Sequence, residues 1–293
     1  MEPFQGGTDA KSALADVRAA HPTLARDGAR RAAEIDRIQQ IRLTVVPREP
    51  LLGEPGLTDL KIVADEIADG VGDYFSLTFA VRKDSPIENV DGLRNKVVAT
   101  NAIGAGAYIP LEVMLRQNGL LPKRDYRVVE TQFSNMKPML LDSKVDLITA
   151  TLPFVYDPEL QTRMRVLFRA RDAIGVTALS FWVMRADFIA ANRAAVVDLL
   201  EDYVRATRWF LDAANRTEVI DIIARSTKQP PERIASFVFT SKDFYRSPDV
   251  LPDFAALQKN IDAQRAIGLI RGDIQVSGHA EPGLLREATE RIK

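Results

Sequence analysis

The chain contains no cysteine. That excludes zinc fingers, thiol nucleophiles, disulfides and iron–sulfur clusters built from cysteine. The absence also suits an exported protein, which thereby avoids oxidative mispairing, although many cytosolic proteins lack the residue too. Only two histidines occur, His21 and His279, far apart in sequence, so no histidine-rich metal site is expected. No stretch approaches the ~18–20 apolar residues of a membrane span. Charge of one sign is lacking as well. Lys+Arg 39 against Asp+Glu 40 leaves a net −1, and nothing points to nucleic acid or to an acidic membrane surface. Residues 1–20 mix charged residues with alanine and hold no uninterrupted apolar core, so no secretion leader is visible in them.

What is present is the composition of a folded, globular chain: 46% hydrophobic and 27% charged residues, which argues against disorder. At ~100–200 residues per domain, 293 residues suggest two compact units.

Residues 8–40 read as helix, with Thr8 and Asp9 as caps and a break at Pro22. Pro47, Pro50, Gly53, Pro55 and Gly56 mark a loop. From there strands and helices alternate. Leu60 to Ile67 reads as a strand, and the run Phe75 to Val81 alternates at period two, the strand signature. Lys96 to Thr100, Arg127 to Thr131, Val145 to Ala150, Arg165 to Phe168 and Ala178 to Met184 complete the expected strands. Tyr108 to Asn118 is an expected helix stopped by Gly119. A second helix starts at Ser134 or Asn135 and runs to Leu141. A long helix from Asn192 to Ala214 carries Val196, Leu199, Leu200, Tyr203, Thr207 and Phe210 on one face. Pro230-Pro231-Glu232 opens a later helix with Thr227 as its cap, and Leu257, Ile261 and Ile267 mark a final one. The alternation argues for parallel-type sheets with right-handed crossovers.

Several runs together resemble a known family. They are Asp84-Ser85-Pro86-Ile87, then Val90 to Val98, then Gly104-Ala105-Gly106-Ala107 and Leu115 to Leu120. Next come Asp125 to Val129, then Leu140 to Leu147 followed by Pro153-Phe154, and finally Phe237 to Tyr245. In order and spacing these are similar to the nitrate/sulfonate/taurine group of ABC-importer solute-binding proteins, across roughly residues 57–290. The beginning departs from that pattern. Gly6-Gly7-Thr8-Asp9-Ala10 resembles the family's second cleft loop, and Ser12 to Val17 a shortened form of the helix after it. On this resemblance the family's first strand–helix unit would be absent or replaced.

The resemblance implies an α/β, two-lobed periplasmic-binding-protein-like fold of type II, with helices flanking the sheets and two crossing hinge strands. One lobe would comprise residues 1–81 plus 185–293 and the other residues 82–184. The hinges would be Phe79-Ala80-Val81-Arg82 and Phe181-Trp182-Val183-Met184. It also implies a periplasmic location, with the leader outside this sequence, and a monomer that delivers a small-molecule ligand to a membrane permease. No cofactor and no nucleic-acid partner are implied.

In such a fold, ligands sit where loops leave the C-terminal ends of parallel strands. Helices begin there, and their N–H groups favour an anion. Asn101, Gly104, Ala105, Gly106 and Tyr108 form the first such loop, where glycine permits close backbone approach and Tyr108 would pack on the ligand. A plain strand-to-helix turn is the competing reading, since the run is neither a dinucleotide fingerprint nor a P-loop. Ser134 and Asn135 belong to the second loop, where helix capping is the commoner use of such residues. Thr151 and Phe154 belong to the third, Thr151 as a hydroxyl donor and Phe154 as a stacking ring or core filler. Gly7 and Thr8 join the set through the resemblance alone. No arginine or lysine stands in these loops. Asp65, Glu66 and Asp69 form an acidic cluster better explained by a solvated turn than by a metal.

Two other readings compete with a binding protein. One is an enzyme on the same scaffold, similar to the pyrimidine-precursor synthases of thiamine biosynthesis. Those use a histidine and a cysteine-rich motif, and no Ser-His-Asp set or carboxylate pair is readable here, so no enzymatic activity is expected. The other is a ligand-sensing or degenerate paralogue without a transporter.

Overall fold

The computed structural model describes residues 44–45 and 59–292. The expected helix over residues 8–40, with His21, Gly7 and Thr8, lies outside them. In chain order the strands are β1 Thr44–Val45, β2 Leu60–Asp69, β3 Thr78–Arg82, β4 Lys96–Thr100, β5 Tyr126–Glu130, β6 Leu147–Ala150, β7 Met164–Arg169 and β8 Thr177–Arg185. The helices are α1 Tyr108–Gln117, α2 Phe133–Leu141, α3 Pro158–Arg163, α4 Ala170–Ile174 and α5 Ala186–Ala191. They continue with α6 Arg193–Leu211, α7 Arg216–Thr227, α8 Pro231–Ala235, α9 Phe254–Ala266 and α10 Pro282–Glu290.

The strands form two sheets. In the first, β8 lies between β1 and β2 and runs antiparallel to both. In the second the order is β5-β4-β6-β3-β7. Strands β5, β4 and β6 are parallel, joined through α1 and α2, whereas β3 is antiparallel to β6 and β7. Flanked by β6 and β7, β3 is buried on both faces, so its sequence Thr-Phe-Ala-Val is nearly all apolar. Helix α1 tolerates Pro110 because the first helical turn needs no donor there. It ends where expected: Gly119 sits at φ +72°, its N–H donates to Arg116 O and that of Leu120 to Leu115 O, both at 2.9 Å.

Each sheet is covered on two faces. On the first, Val63, Ala64 and Met184 meet α6 and α10 through Leu200, Val204, Leu284 and Leu285. The opposite side brings Ile62, Phe181 and Val183 against Leu257 and Ile261 of α9. On the second sheet, Phe79, Val81 and Val98 pack with Leu111 and Leu115 of α1. The other face carries Ile148 and Ala150 with Met136 and Leu140 of α2. Each such side chain, fully buried, contributes ~1.5–3 kcal/mol.

This arrangement differs from the expected one at three points. First, Val219, Ile220, Ala224 and Ile234, from α7 and α8, join the core around the second sheet. The division that assigned all of 185–293 to the first lobe does not describe their packing. Second, Thr227 ends α7 and is not the cap of α8, whose flanking residue is Pro230. Third, the crossings between sheets come earlier than expected. Asp69 pairs with Thr177 at the end of the first sheet, and Thr78 with Arg169 at the start of the second. Residues 70–77 and 170–176 therefore run side by side from one sheet to the other. Phe79–Arg82 and Phe181–Met184 lie inside the sheets, with Phe79–Val81 and Trp182–Val183 paired to a strand on each side.

The paired crossings are stitched together. Asp69 is fully buried, and its Oδ1 accepts from Ser76 N at 2.5 Å, Ser76 Oγ at 2.8 Å and Leu77 N at 3.0 Å. Gly70 has φ +77°, and a Cβ there would lie 3.1 Å from Arg171 Cβ and 3.3 Å from Gly175 O. Only glycine fits that backbone and that approach. Arg171 donates to Gly72 O at 2.8 Å. Replacing Asp69 by Ala leaves buried N–H groups without an acceptor, which costs ~1–3 kcal/mol per strong bond lost. Asp69→Ala is expected to lower unfolding stability by roughly 2–4 kcal/mol, read by urea denaturation, whereas Asp69→Asn, which keeps an acceptor oxygen, loses less.

Candidate functional site

Because β5, β4 and β6 are parallel and adjacent, their C-terminal ends, Glu130, Thr100 and Ala150, share one edge of the second sheet. All three loops selected from the sequence leave that edge. The two crossings begin there too, since Ala150 pairs with Thr78 and Thr78 with Arg169. Buried threonines line the strand ends: Thr149 Oγ1 donates to Ala99 O at 3.0 Å and Thr78 Oγ1 to Ala150 O at 3.3 Å.

The first loop, residues 101–107, is fixed by Glu130, whose Oε1 accepts from Ile103 N at 2.5 Å. Asn101 and Gly104 are half-buried; Ala105 and Gly106 are buried. Gly104 adopts φ +78°, the left-handed region open to glycine. Tyr108 does not project toward a ligand. Its phenol donates to Glu112, which also accepts from Tyr126 at 2.7 Å and pairs with Arg116 at 2.6 Å. The ring is 4% exposed within the core beside Leu111 and Leu115, and burial with the Glu112 hydrogen bond pushes its pKa up. Tyr108 is thus occupied inside the second sheet's core, and the ligand-packing reading of it is withdrawn.

In the second loop the helix starts at Phe133, one residue earlier than read from the sequence. Its capping position is Gln132, which makes no side-chain cap. Ser134 and Asn135 are therefore not caps. They are exposed in the first turn of α2, where N–H groups point outward. Helix α1 likewise lacks a side-chain cap at Ala107.

In the third loop Thr151 is 8% exposed, and its hydroxyl forms no hydrogen bond with a described residue. Phe154 opens a short 3-10 turn, Phe154–Tyr156, and is half-buried. It belongs to none of the described apolar clusters. The loop is braced from the tail: Arg233 Nη2 donates to Pro153 O at 3.3 Å, and Phe237 stacks on Tyr156 with centroids 6.4 Å apart.

Sequence reading missed the cations at this edge. Arg169 ends β7 one residue beyond the strand read from the sequence, and its guanidinium lies 4.6 Å from the Phe75 ring centroid. Lys242, on the tail loop, places Nζ 5.3 Å from the Tyr156 ring centroid. Arg169 follows an apolar strand directly, a signal that was available; Lys242 carries none, because its approach depends on the fold of the tail.

The acidic cluster is not a solvated turn. Asp65, Glu66 and Asp69 all lie on β2; Asp65 is 6% exposed, and Glu66 accepts from Ser180 Oγ. No group of three potential metal ligands occurs among the described residues. A cavity of about 540 Å³ lined by Asn215, Thr217, Glu218, Asp221 and Arg225 lies along α7, on residues outside the three loops.

The family model described as NMT1/THI5 like matches residues 70–216. The chain belongs to this family. A comparison with curated proteins gives no match. Among solved structures the chain is similar to the periplasmic aliphatic sulphonate binding protein SsuA from Escherichia coli, at 20% identity, with 81% of this chain and 73% of that one covered and a TM-score of 0.60. It is similar also to the periplasmic nitrate-binding protein NrtA from Synechocystis PCC 6803, at 16% identity, 85% and 73% coverage and a TM-score of 0.61. The desulfurization enzyme DSZB matches at 16% identity, with 87% and 90% coverage and a TM-score of 0.57. At these identities the likeness is one of fold. The fold is that of the type II periplasmic binding proteins, as the sequence resemblance implied. Binding proteins and the enzyme DSZB share this fold, so the scaffold is not restricted to one kind of function. No helix of the described residues is long and apolar enough to cross a membrane.

Asp65 gives this family member a measurable pH dependence. Burial, and then repulsion from Glu66 and Asp253, lifts its carboxyl to about 7, against a backbone hydrogen bond at Glu66 that lowers it. A raised carboxyl binds its proton more tightly in the folded state, so the unfolded chain releases protons first. The stability it contributes is present below the ordinary carboxylate range and is lost as pH rises from about 4 to about 7. Asp65→Asn is expected to flatten this slope and to stabilise the protein at pH 8 by roughly 2–4 kcal/mol, measured by urea denaturation at pH 5 and pH 8.

Proposed function

We propose that the protein is the solute-binding component of an ABC importer, which captures a small anionic solute at the shared edge of β4, β5 and β6. The observation that carries this reading is the convergence of three strand-end loops beside the paired crossings, with two helix starts free of side-chain caps. Asn101, Gly104, Ala105, Gly106, Ser134, Asn135, Thr151 and Phe154 would supply the contacts. Thr151 offers a hydroxyl and the first turn of α2 offers N–H groups to an anion. Gly7 and Thr8 keep the role that the sequence resemblance implies for them.

In this reading one lobe is built on the first sheet and the other on the second, with residues 70–77 and 170–176 as the hinge. Closure follows if the solute binds the closed form more tightly than the open one. The closed form would then dock, as a periplasmic monomer, on a membrane permease. The names of SsuA and NrtA, which bind sulphonate and nitrate, support an anion as the class of solute. An enzymatic reading draws support from DSZB, and turnover of an added sulfinic or sulfonic acid would favour it instead.

The test is a thermal-shift screen with nitrate, alkanesulfonates and aromatic acids. A ligand present at ~100 times its Kd adds about 2.7 kcal/mol of stability. Thr151→Ala is expected to weaken affinity roughly 3- to 10-fold, the worth of one net hydrogen bond, with the melting of the unliganded protein nearly unchanged. Unaltered affinity in Thr151→Ala removes that residue from the site, and the absence of any stabilising anion overturns the reading.

A further inference from the structure

Each of the six cation–π contacts between described residues falls in one region, where the crossings meet the third loop and the tail segment 210–246. Arg169 and Arg171 cover Phe75, Lys242 covers Tyr156, Arg216 covers Phe239, and Arg246 lies over Phe210 and Phe244. Three of these five cations are committed to the fold. Arg171 donates to Gly72 O at 2.8 Å, Arg216 to Ala235 O at 3.0 Å, and Arg246 pairs with Asp243 at 3.1 Å. The side chains of Arg169 and Lys242 donate to no described residue, and both are exposed.

Arg169 ends β7 at the strand-end edge from which the third loop leaves, and under Lys242 stands Tyr156, half-buried and backed by Phe237. Two acids also face it. Asp243 is engaged by Arg246 and by Phe244 N at 2.7 Å. Asp69 is held through Oδ1, while its buried Oδ2 has no partner. Both acids raise the Tyr156 hydroxyl and Arg169 lowers it, behind burial as the first cause, which places Arg169 within electrostatic reach of the ring. Arg169 lies in the field of Asp69, whose pKa it lowers, yet neither it nor Lys242 is held by a hydrogen bond to a described residue, so these two cations can turn to an added anion, and the surface beside them is aromatic.

We infer that the solute is an aromatic acid, its ring stacked on Tyr156 and its anionic group held between Arg169 and Lys242. On binding, Lys242 moves from the ring face to the acid, and the ligand's ring takes the vacated face. A cation–π contact is thereby exchanged for ring stacking plus a charge-assisted pair. This rests on the solute-binding reading and narrows it. An alkanesulfonate or nitrate has no ring to place on Tyr156 and would gain only the charge.

The test is calorimetric titration with benzenesulfonate, benzoate, cyclohexanesulfonate, ethanesulfonate and nitrate. Benzenesulfonate or benzoate is expected to bind, with cyclohexanesulfonate about 10-fold weaker, the scale of one aromatic pair. Lys242→Gln and Arg169→Gln are each expected to weaken the aromatic acid about 10-fold and to reduce its salt dependence. Tyr156→Phe should bind as the parent does, and Tyr156→Leu about 10-fold less well. Equal binding of benzenesulfonate and cyclohexanesulfonate, or full affinity in Lys242→Gln, overturns the inference. If ethanesulfonate or nitrate binds and no aromatic acid does, the inference fails while the solute-binding reading stands. If no anion binds, both fail. Should Tyr156→Leu not fold, the exposed Lys242→Gln and the pair of ring analogues still decide.

Discussion

The architecture depends on one buried carboxylate. A chain that builds two sheets and returns must cross between them twice, and here both crossings leave from neighbouring positions, Asp69 beside Thr177 and Thr78 beside Arg169. The N–H groups of the first crossing have no ladder partner at its far end. Asp69 supplies it, accepting from Ser76 and Leu77 with a single oxygen. Burial opposes the charge and raises its pKa, and the hydrogen bonds offset part of that rise. Because the clamp lies at the end of β2, it also fixes where β3 begins, and β3 is the strand on which β6 and β7 register. The edge that collects the three loops is thus set by a contact outside all of them.

What the sequence made legible was what local pattern encodes. β4 was read at its observed bounds because a short apolar run between polar neighbours has few alternatives. The end of α1 was read from Gly119, since its left-handed backbone is a chemical requirement rather than a packing outcome. The crossings between the sheets were read too late in the chain for the opposite reason. The period-two run from Phe75 to Val81 looks like one strand, yet Ser76 and Leu77 are held by Asp69, and only residues 78–82 find ladder partners. Which backbone groups pair across a fold is non-local information. The same holds for α7 and α8. An amphipathic helix announces that it has a buried face, but not which sheet covers it, and the return of the tail toward its own lobe was the simpler assumption.

At the site, loop positions were legible and side-chain destinations were not. Any Gly-rich turn after an apolar strand in an alternating chain marks the strand-end edge, which is why residues 101–107 were found. Tyr108 belongs to the same run, yet its partner is Glu112, one helical turn away, and the core claims it. Spacing of four on a helix could have signalled this pair. Arg169 and Lys242 stand 73 residues apart in sequence. Lys242 meets Tyr156 only because the tail lies across the third loop, and Arg169 reaches the same edge because β7 borders β3. Such a constellation leaves no linear motif.

The tail contacts bear on how two lobes move. Arg233 on Pro153, Phe237 on Tyr156 and Lys242 over Tyr156 all join the tail to the third loop. If residues 70–77 and 170–176 act as the hinge, any opening that separates the sheets must either break these contacts or carry α7 and α8 along with the second sheet. Their burial beside Ile148 and Leu152 favours the latter, because exposing several such side chains would cost far more than the ~1–5 kcal/mol that a ligand commonly supplies to a conformational shift. The moving boundary then runs not between chain segments in order, but between the first sheet with α6, α9 and α10 and the second sheet with α7 and α8. Residues 212–215, between α6 and α7, then also pass from one body to the other, and residues 237–250 form a further strap, since Tyr245 and Val250 bond to β2 while Phe237 remains on Tyr156. A solute seated on Tyr156 would touch that strap directly, which couples its presence to a connection that the two crossings do not control.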